Sequence, residues 1–400
     1  MQDFFVLFKK FLLSLYQTEF NMKLRTITKL GVILSVILFG IGIGLYGFAK
    51  LSINDQKNDV DFLSFIPGNC IGVFETDNAD YFLNEFTQMA YASQLGTLHQ
   101  TGITGTILDR LNQYAPTNIH GLNGQTNHML VSFHSPGKPD DAVVYFSMGK
   151  EGKELLIETL RNSSGSQFIP KKEKYRDKTI EIYPVNPTKF IVLYYNSEGL
   201  LAISYQKRLI EEVIDAQKDK TSLRQDPVFT AIRRTKSTNF MTLYGRTAPL
   251  PLLTKEGNSH HWSEFDIHMN SEVFYLSGEM HEPDSCIAST FTALNNLSSY
   301  AEDSLLLITG TNKVDSCISS TITSPSHTLF EECISNLSRN ASCIMVADMD
   351  KVAKSPQEYE AYLPQFILQH PDFFRSFIIS LQITKIDDRL SHIFVFTYKN

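Results

Sequence analysis

The chain is poor in the residues and motifs that announce most chemistries. Its 400 residues hold five cysteines and one tryptophan. Cys70, Cys286, Cys317, Cys333 and Cys343 form no Cys-x-x-Cys pair, which leaves a dithiol redox centre or a zinc knuckle without support. No GxxxxGK[ST] loop occurs, and "GKEGKE" at 149 has the wrong spacing to cradle phosphate. GxSxG and HExxH are also missing, and Pro283 breaks the helix that "HEPD" would need. Beyond residue 50 the basic residues are scattered. "KKEK" at 171–174 is the one short cluster, and it reads as a solvated loop. Phosphate neutralisation needs clustered Lys and Arg, so nucleic acid is not an expected partner. No low-complexity tract interrupts the chain, so disorder is not the expected state either.

What is present begins with an apolar run. Residues 30–49, "LGVILSVILFGIGIGLYGFA", carry no charge and no polar stripe. At 1.5 Å per residue they span ~30 Å, the thickness of bilayer hydrocarbon. Lys9, Lys10, Lys23, Arg25 and Lys29 precede the run against Asp3 and Glu19. That leaves +3 before it and, from a total of −7, a balance of −10 in the remainder. The positive-inside rule then predicts a single-pass span in the cytoplasmic membrane, N-terminus in the cytoplasm and body in the periplasm or exterior. A cleaved signal peptide is the rival, with Gly47-Phe48-Ala49 as its site, although the apolar run exceeds the usual length. Translation from Met22 would also open on a well-formed signal-anchor.

The order read from the chain is a cytoplasmic segment at 1–29, a transmembrane helix at 30–49 and a polar tether at 50–60. An extracytoplasmic α+β domain at 61–255 and a second, shorter α+β unit at 256–400 follow. In the body, "GNCIGVFETD" reads as a strand over Cys70–Phe74. Residues 79–95 and 104–115 show helical spacing. "HMLVSFH" with "AVVYFSM", "KFIVLYY" with "LLAISY", and "FDIHM" with "VFYLSGEM" read as paired strands about turn residues. Ser204 is placed to cap the helix "YQKRLIEEVIDAQK", and Asp226-Pro227 to open "PVFTAIRR". In "SFIISLQIT" and "LSHIFVFTYK" apolar residues alternate, which predicts a C-terminal hairpin. Hairpins dominate without strict strand–helix alternation. The expected class is α+β, mostly antiparallel sheets with packed helices, preceded by one transmembrane helix. "DSCIAST" at 284 is echoed by "DSCISST" at 315, as two diverged copies of a small unit or as coincidence.

Three stretches carry a family likeness: "FIPGNCIGVFETDN", "LLAISYQKRLIEEVIDAQ" followed by "SLRQDPVF", and "FFRSFIISLQITKIDDRLSHIFVFTYKN". With them, residues 60–400 resemble a family of single-pass, membrane-anchored bacterial proteins of unknown function, common in Bacteroidetes. The resemblance implies a large extracytoplasmic α+β body with related halves, the second here being short. It brings no catalytic residue and no cofactor.

The densest chemistry lies in "HHWSEFDIHMN" with "HE" at 281–282. Asp266 and His268 would share one strand face. With His260 or His261 folded over them they make the one candidate transition-metal set, His260, Asp266 and His268. A polar loop entering an amphipathic strand is the plainer account. An oxidising exterior permits disulfides, with Cys333–Cys343 suggested by nearness and Cys286–Cys317 by the echo. Buried free thiols acting as small hydrophobes are the alternative. The function expected from these features is a membrane-tethered binding or structural module whose partner is an envelope protein or a glycan. The alternative is an envelope hydrolase with a site assembled from distant residues, metal-assisted through 260–282.

Overall fold

The structure, a computed structural model, describes residues 60–399 apart from 78–88, 91–127, 136–139, 163–169, 185–188, 236–240, 254–260, 282–286, 324–327, 365–366, 369–370 and 388. The apolar run at 30–49, most of the tether, the helical reading at 104–115 and that at 79–95, Met89 and Ala90 excepted, fall outside the described residues. Among the described residues, no helix is long and apolar enough to cross a membrane.

The body is built on one sheet. Fifteen strands hydrogen-bond in a single continuous series. The class expected from sequence, an α+β body with several sheets behind a transmembrane helix, is thereby corrected to one mostly-strand sheet, flanked by eight described α-helices. Every pairing is antiparallel. Separate hairpins became one sheet because their outer strands found one another across long stretches of chain. Local patterning cannot announce such contacts.

The strands follow one plan twice. β1 (Gly72–Thr76), β2 (Met129–Phe133) and β3 (Ala142–Ser147) form a meander. Helix α1 (Lys150–Asn162) crosses to the far edge, where β4 (Lys171–Tyr175) begins. The chain then returns through β5 (Lys178–Pro184) and β6 (Phe190–Tyr195) to β7 (Leu200–Ser204), which pairs with β3. Helices α2 (Lys207–Asp219) and α3 (Pro227–Thr235) lead to the second round. There β8 (Thr242–Gly245), β9 (Trp262–Met269) and β10 (Val273–His281) form the meander, and α4 (Ile287–Asn295) is the crossover. β11 (Tyr300–Ala301), β12 (Leu305–Thr309), β13 (Cys343–Asp348), β14 (Phe377–Ile386) and β15 (Arg389–Tyr398) return to pair with β10. β1 and β8, the first strands of the two rounds, pair in the middle of the sheet. The relation is therefore a pseudo-twofold axis between them.

Register partners point to the same side of a sheet, so the pairing Phe74↔Leu243 places the clusters under α1 and α4 on one face. α7 (Met349–Val352) and α8 (Pro371–Phe374) join α4 there. The other face carries α2 and α3 over the first half. It carries α5 (Thr311–Ile322) and α6 (Leu329–Ser335) over the second. In α2 the expected stripe of Leu209, Ile210, Val213 and Ile214 is buried. At 1.5 Å and 3.6 residues per turn these four share one side of the helix.

Both edges of the sheet are blunted. β11 has two residues. β4 is the "KKEK" segment, an edge strand and not the expected loop; Lys171 and Lys172 stand well out in solvent. Lysines on an exposed edge oppose pairing with another chain. The β4–β5 turn holds Arg176 and Asp177 at φ 44° and 68°. Two positive φ values suit the twist of a two-residue hairpin.

Smaller expectations fared unevenly. The first strand begins at Gly72, two residues after Cys70. Asp226 caps α3, its Oδ1 accepting from the N–H groups of Val228 and Phe229 at 3.0 Å. Ser204 stays in β7, donating to Ala142 O at 2.7 Å and accepting from Gln206 N–H at 3.0 Å. Helix α2 starts after it, with no side-chain cap. "DSCISST" lies in α5, on the opposite face of the sheet from α4, into which "DSCIAST" runs. The echo thus marks no equivalent positions.

Candidate functional site at the centre of the sheet

On the face that carries α2, α3, α5 and α6, one row of register partners crosses the middle of the sheet: Glu75, Thr242, Asp266 and Ser277. Four polar residues side by side on a sheet face are unusual when apolar clusters lie at both ends of it. Glu75 is fully buried, and its carboxylate takes the guanidinium of Arg233 from α3. A buried charge survives only if paired. Thr242 Oγ1 donates to Asp266 Oδ1 at 2.7 Å.

Flanking rows add titratable groups. His128 Nδ1 lies 2.7 Å from Asp77 Oδ1, and its Nε2 lies 3.6 Å from Glu75 Oε1. Phe62 stacks on its ring at 5.0 Å. On the second-half side, His281 Nε2 sits 3.5 Å from Glu264 Oε2. Glu279 accepts from Arg389 at 3.3 Å. The exposed His268 and Tyr275 stack with centroids 4.6 Å apart.

Asp266 and His268 therefore do share a strand face, as the spacing requires. Their environments differ: one takes a threonine hydroxyl, the other lies against a tyrosine ring. His260 lies outside the described residues, and His261 is buried. Among the described residues, no three His, Cys, Asp or Glu side chains gather as metal ligands. Cys333 and Cys343 are free thiols packed on opposite faces of the sheet, so the backbone layer between them rules out the disulfide that nearness suggested. Burial pushes the Cys343 thiol, and that of Cys70, up to about 12. Cys286 lies outside the described residues.

Sequence reading missed two features of this region. The first is a fault in the ladder. The β9–β10 pairing skips Gly278 and Glu279. Here the strands pinch so closely that a Cβ on Gly278 would lie 1.9 Å from Glu264 O. His392 of β15, the register partner of Gly278, reaches across that glycine. Its Nε2 lies 2.9 Å from Glu264 O. A carbonyl only accepts, so Nε2 carries the proton. The second is a knot around Trp262. Its Nε1 donates to Asp226 Oδ2 at 3.0 Å, and the Arg246 guanidinium lies 4.8 Å over its ring. Arg246 also donates to Gly68 O at 2.6 Å. The knot ties β8 and β9 to α3 and to the entry segment.

A separate relay joins Ser132 Oγ to His134 Nε2 at 2.8 Å and to Tyr145 OH at 3.0 Å. Ser132 and Tyr145 are wholly buried and His134 nearly so, so no substrate reaches this Ser–His pair and it acts as a core hydrogen-bond relay. Desolvation, reinforced by Arg208, lowers His134 to about 4. Desolvation likewise lowers His392 to about 4, against the pull of the Glu264 carbonyl. Both stay neutral in the fold. As pH drops below the ordinary 6.5, the unfolded chain takes up protons that the folded one refuses, until about pH 4. Stability should therefore fall by about 2 kcal/mol per histidine at pH 5 and about 3 at pH 4. Urea midpoints at pH 7 and pH 5 test this. His392→Gln, which keeps a donor for Glu264 O, should flatten the drop by about 2 kcal/mol; an unchanged drop would clear His392 of the effect.

By fold and site the chain belongs to the open antiparallel sheet proteins, here two related halves joined at their first strands, with a polar row across the junction. No family model, curated protein or solved structure matches it.

Proposed function

We propose that the chain is a membrane-tethered binding module, its body in the periplasm or exterior. The half-exposed polar strip over β9, β10 and β15 meets the ligand. That strip carries the reading: Asp266, His268, Tyr275 and Ser277 stay wholly or partly exposed midway between two helix-covered regions. The uncharged run at 30–49 and the charge asymmetry about it support the tether and its direction. The resemblance of residues 60–400 to the Bacteroidetes-type anchored family also supports the tether.

Two measurements test the reading. A C-terminal alkaline phosphatase fusion should be active in intact cells, and the chain should remain in membranes after carbonate washing. An inactive phosphatase would reverse the orientation, and a soluble product beginning at Lys50 would replace the anchor by a signal peptide. The hydrolase alternative has one observation in its favour, the Asp77–His128 pair. An aspartate on Nδ1 orients the ring of a half-exposed histidine, as a general base needs, while its Nε2 is turned inward, 3.6 Å from the buried Glu75 Oε1. Hydrolysis of an envelope polymer that vanishes in His128→Ala would turn the assignment to that class.

A further inference from the structure

We propose that His128 is a proton-operated latch between the sheet and the segment through which the chain enters it. Phe62 lies on the face of the ring, and a carboxylate faces each of its two nitrogens. The proposal goes beyond the binding-module reading and holds whichever way the orientation and anchoring tests fall.

The ring nitrogens set the charge. Asp77 Oδ1 lies 2.7 Å from Nδ1, which requires a proton on that nitrogen. A neutral ring would then turn the lone pair of Nε2 toward Glu75 Oε1, 3.6 Å away, so that two acceptors face each other. The imidazolium turns an N–H toward the same oxygen. The surrounding charges point the same way. Among the described residues, Asp77 and Glu75 face the ring, and Arg233 binds Glu75 from α3. Two carboxylates and one guanidinium leave one negative charge, which a charged ring cancels. Tyr244 adds no charge, because burial first and Glu75 next hold its hydroxyl protonated. Glu75 is fully buried, so its pull on the ring is screened less than that of the half-exposed Asp77.

The ring face sets what the latch holds. Phe62 stacks on it at 5.0 Å and 16°. A cation on an aromatic face is held about two- to fivefold more firmly than an uncharged group. Phe62 opens the one-turn 3₁₀ helix Phe62–Ser64, and behind it Phe65 and Ile66 enter the core beneath α2. Ile66 O accepts from Leu223 N–H at 2.7 Å, and Asp61 pairs with Arg224. His128 thus stands where the entry segment, β1 and β2 meet. The fold favours the charged ring, so the latch is closed below the ordinary 6.5 and opens as pH rises through the titration of the folded ring. That sign is opposite to the one derived for His134 and His392, which separates the two effects.

Hydrogen exchange in the full chain at pH 6 and pH 8.5, corrected for intrinsic rates, tests the latch. The amides of Ser64, Phe65 and Ile66 bond to carbonyls within the entry segment. They should be about two- to fivefold better protected at pH 6. His128→Gln should erase that difference. Phe62→Leu should erase it too, while histidine carbon resonances still show His128 charged at pH 7. If His128→Gln unfolds the chain, Asp77→Asn, at a half-exposed position, should shrink the difference instead. Equal protection at the two pH values, better protection at pH 8.5 or a neutral His128 at pH 7 would overturn the proposal. So would a difference that survives these substitutions. A charged His128 would also count against its use as the base of a hydrolase.

Discussion

Gly278→Ala should be the most damaging single methyl group in the described sheet. The added Cβ would stand 1.9 Å from Glu264 O and 2.7 Å from the same carbonyl carbon. Both are backbone atoms, so no side-chain rotation relieves the clash. The strands must separate, and separation breaks the His392–Glu264 contact that spans the fault. A loss of about 3 kcal/mol or more follows, in the range reserved for overpacked cores and broken buried networks. Urea denaturation should show the midpoint falling at constant slope. Gly149→Ala is the control, because nothing lies within 4 Å of its Cβ. Equal stability of the two variants would refute the pinch.

Trp262→Ala should cost a similar amount by a different route. The indole is fully buried against Phe229 and Tyr244 in one cluster. Removing it opens a cavity that a sheet with α3 above it cannot close, a loss of about 3–5 kcal/mol. The Asp226 carboxylate also loses the indole N–H and keeps only the Arg246 contact at 3.5 Å on that oxygen. Trp262→Phe keeps most of the volume and loses the hydrogen bond alone, so it should cost about 1–3 kcal/mol. The two variants separate packing from polar loss. If Phe and Ala cost the same, the hydrogen bond and not the cavity dominates the knot.

These two sites show how legibility was distributed. The C-terminal hairpin was plain because Phe377, Ile379, Leu381 and Ile383 alternate with Ile378, Ser380, Gln382 and Thr384. In the fold those four line the core beside Phe394 and Phe396. The start of α3 was plain because Asp-Pro states its cap within two residues. Gly278 gave no sign, since a glycine inside "FYLSGEM" reads as any strand glycine. What makes it necessary is the carbonyl of a residue fourteen positions earlier. The metal set read at 260–282 joined residues near in number, whereas the polar row draws Glu75, Thr242, Asp266 and Ser277 from four strands. No spacing rule links positions so far apart.

Sequence by itself determined most local choices in the body, though not at β4 or Ser204: which segments extend, which coil, where turns fall and which face of an element is apolar. Those follow from periods of 2 and 3.6 residues, which act over a few residues at a time. It also supplied the uncharged run and its flanking charges. The tertiary structure alone decided that β1 meets β8, that the hairpins merge into one sheet and that the two rounds face each other across a twofold. The physical reason is that strand pairing is satisfied by any exposed strand edge. Which edge meets which depends on how the whole chain buries its apolar faces, and at the junction that selection left a row of polar side chains partly open.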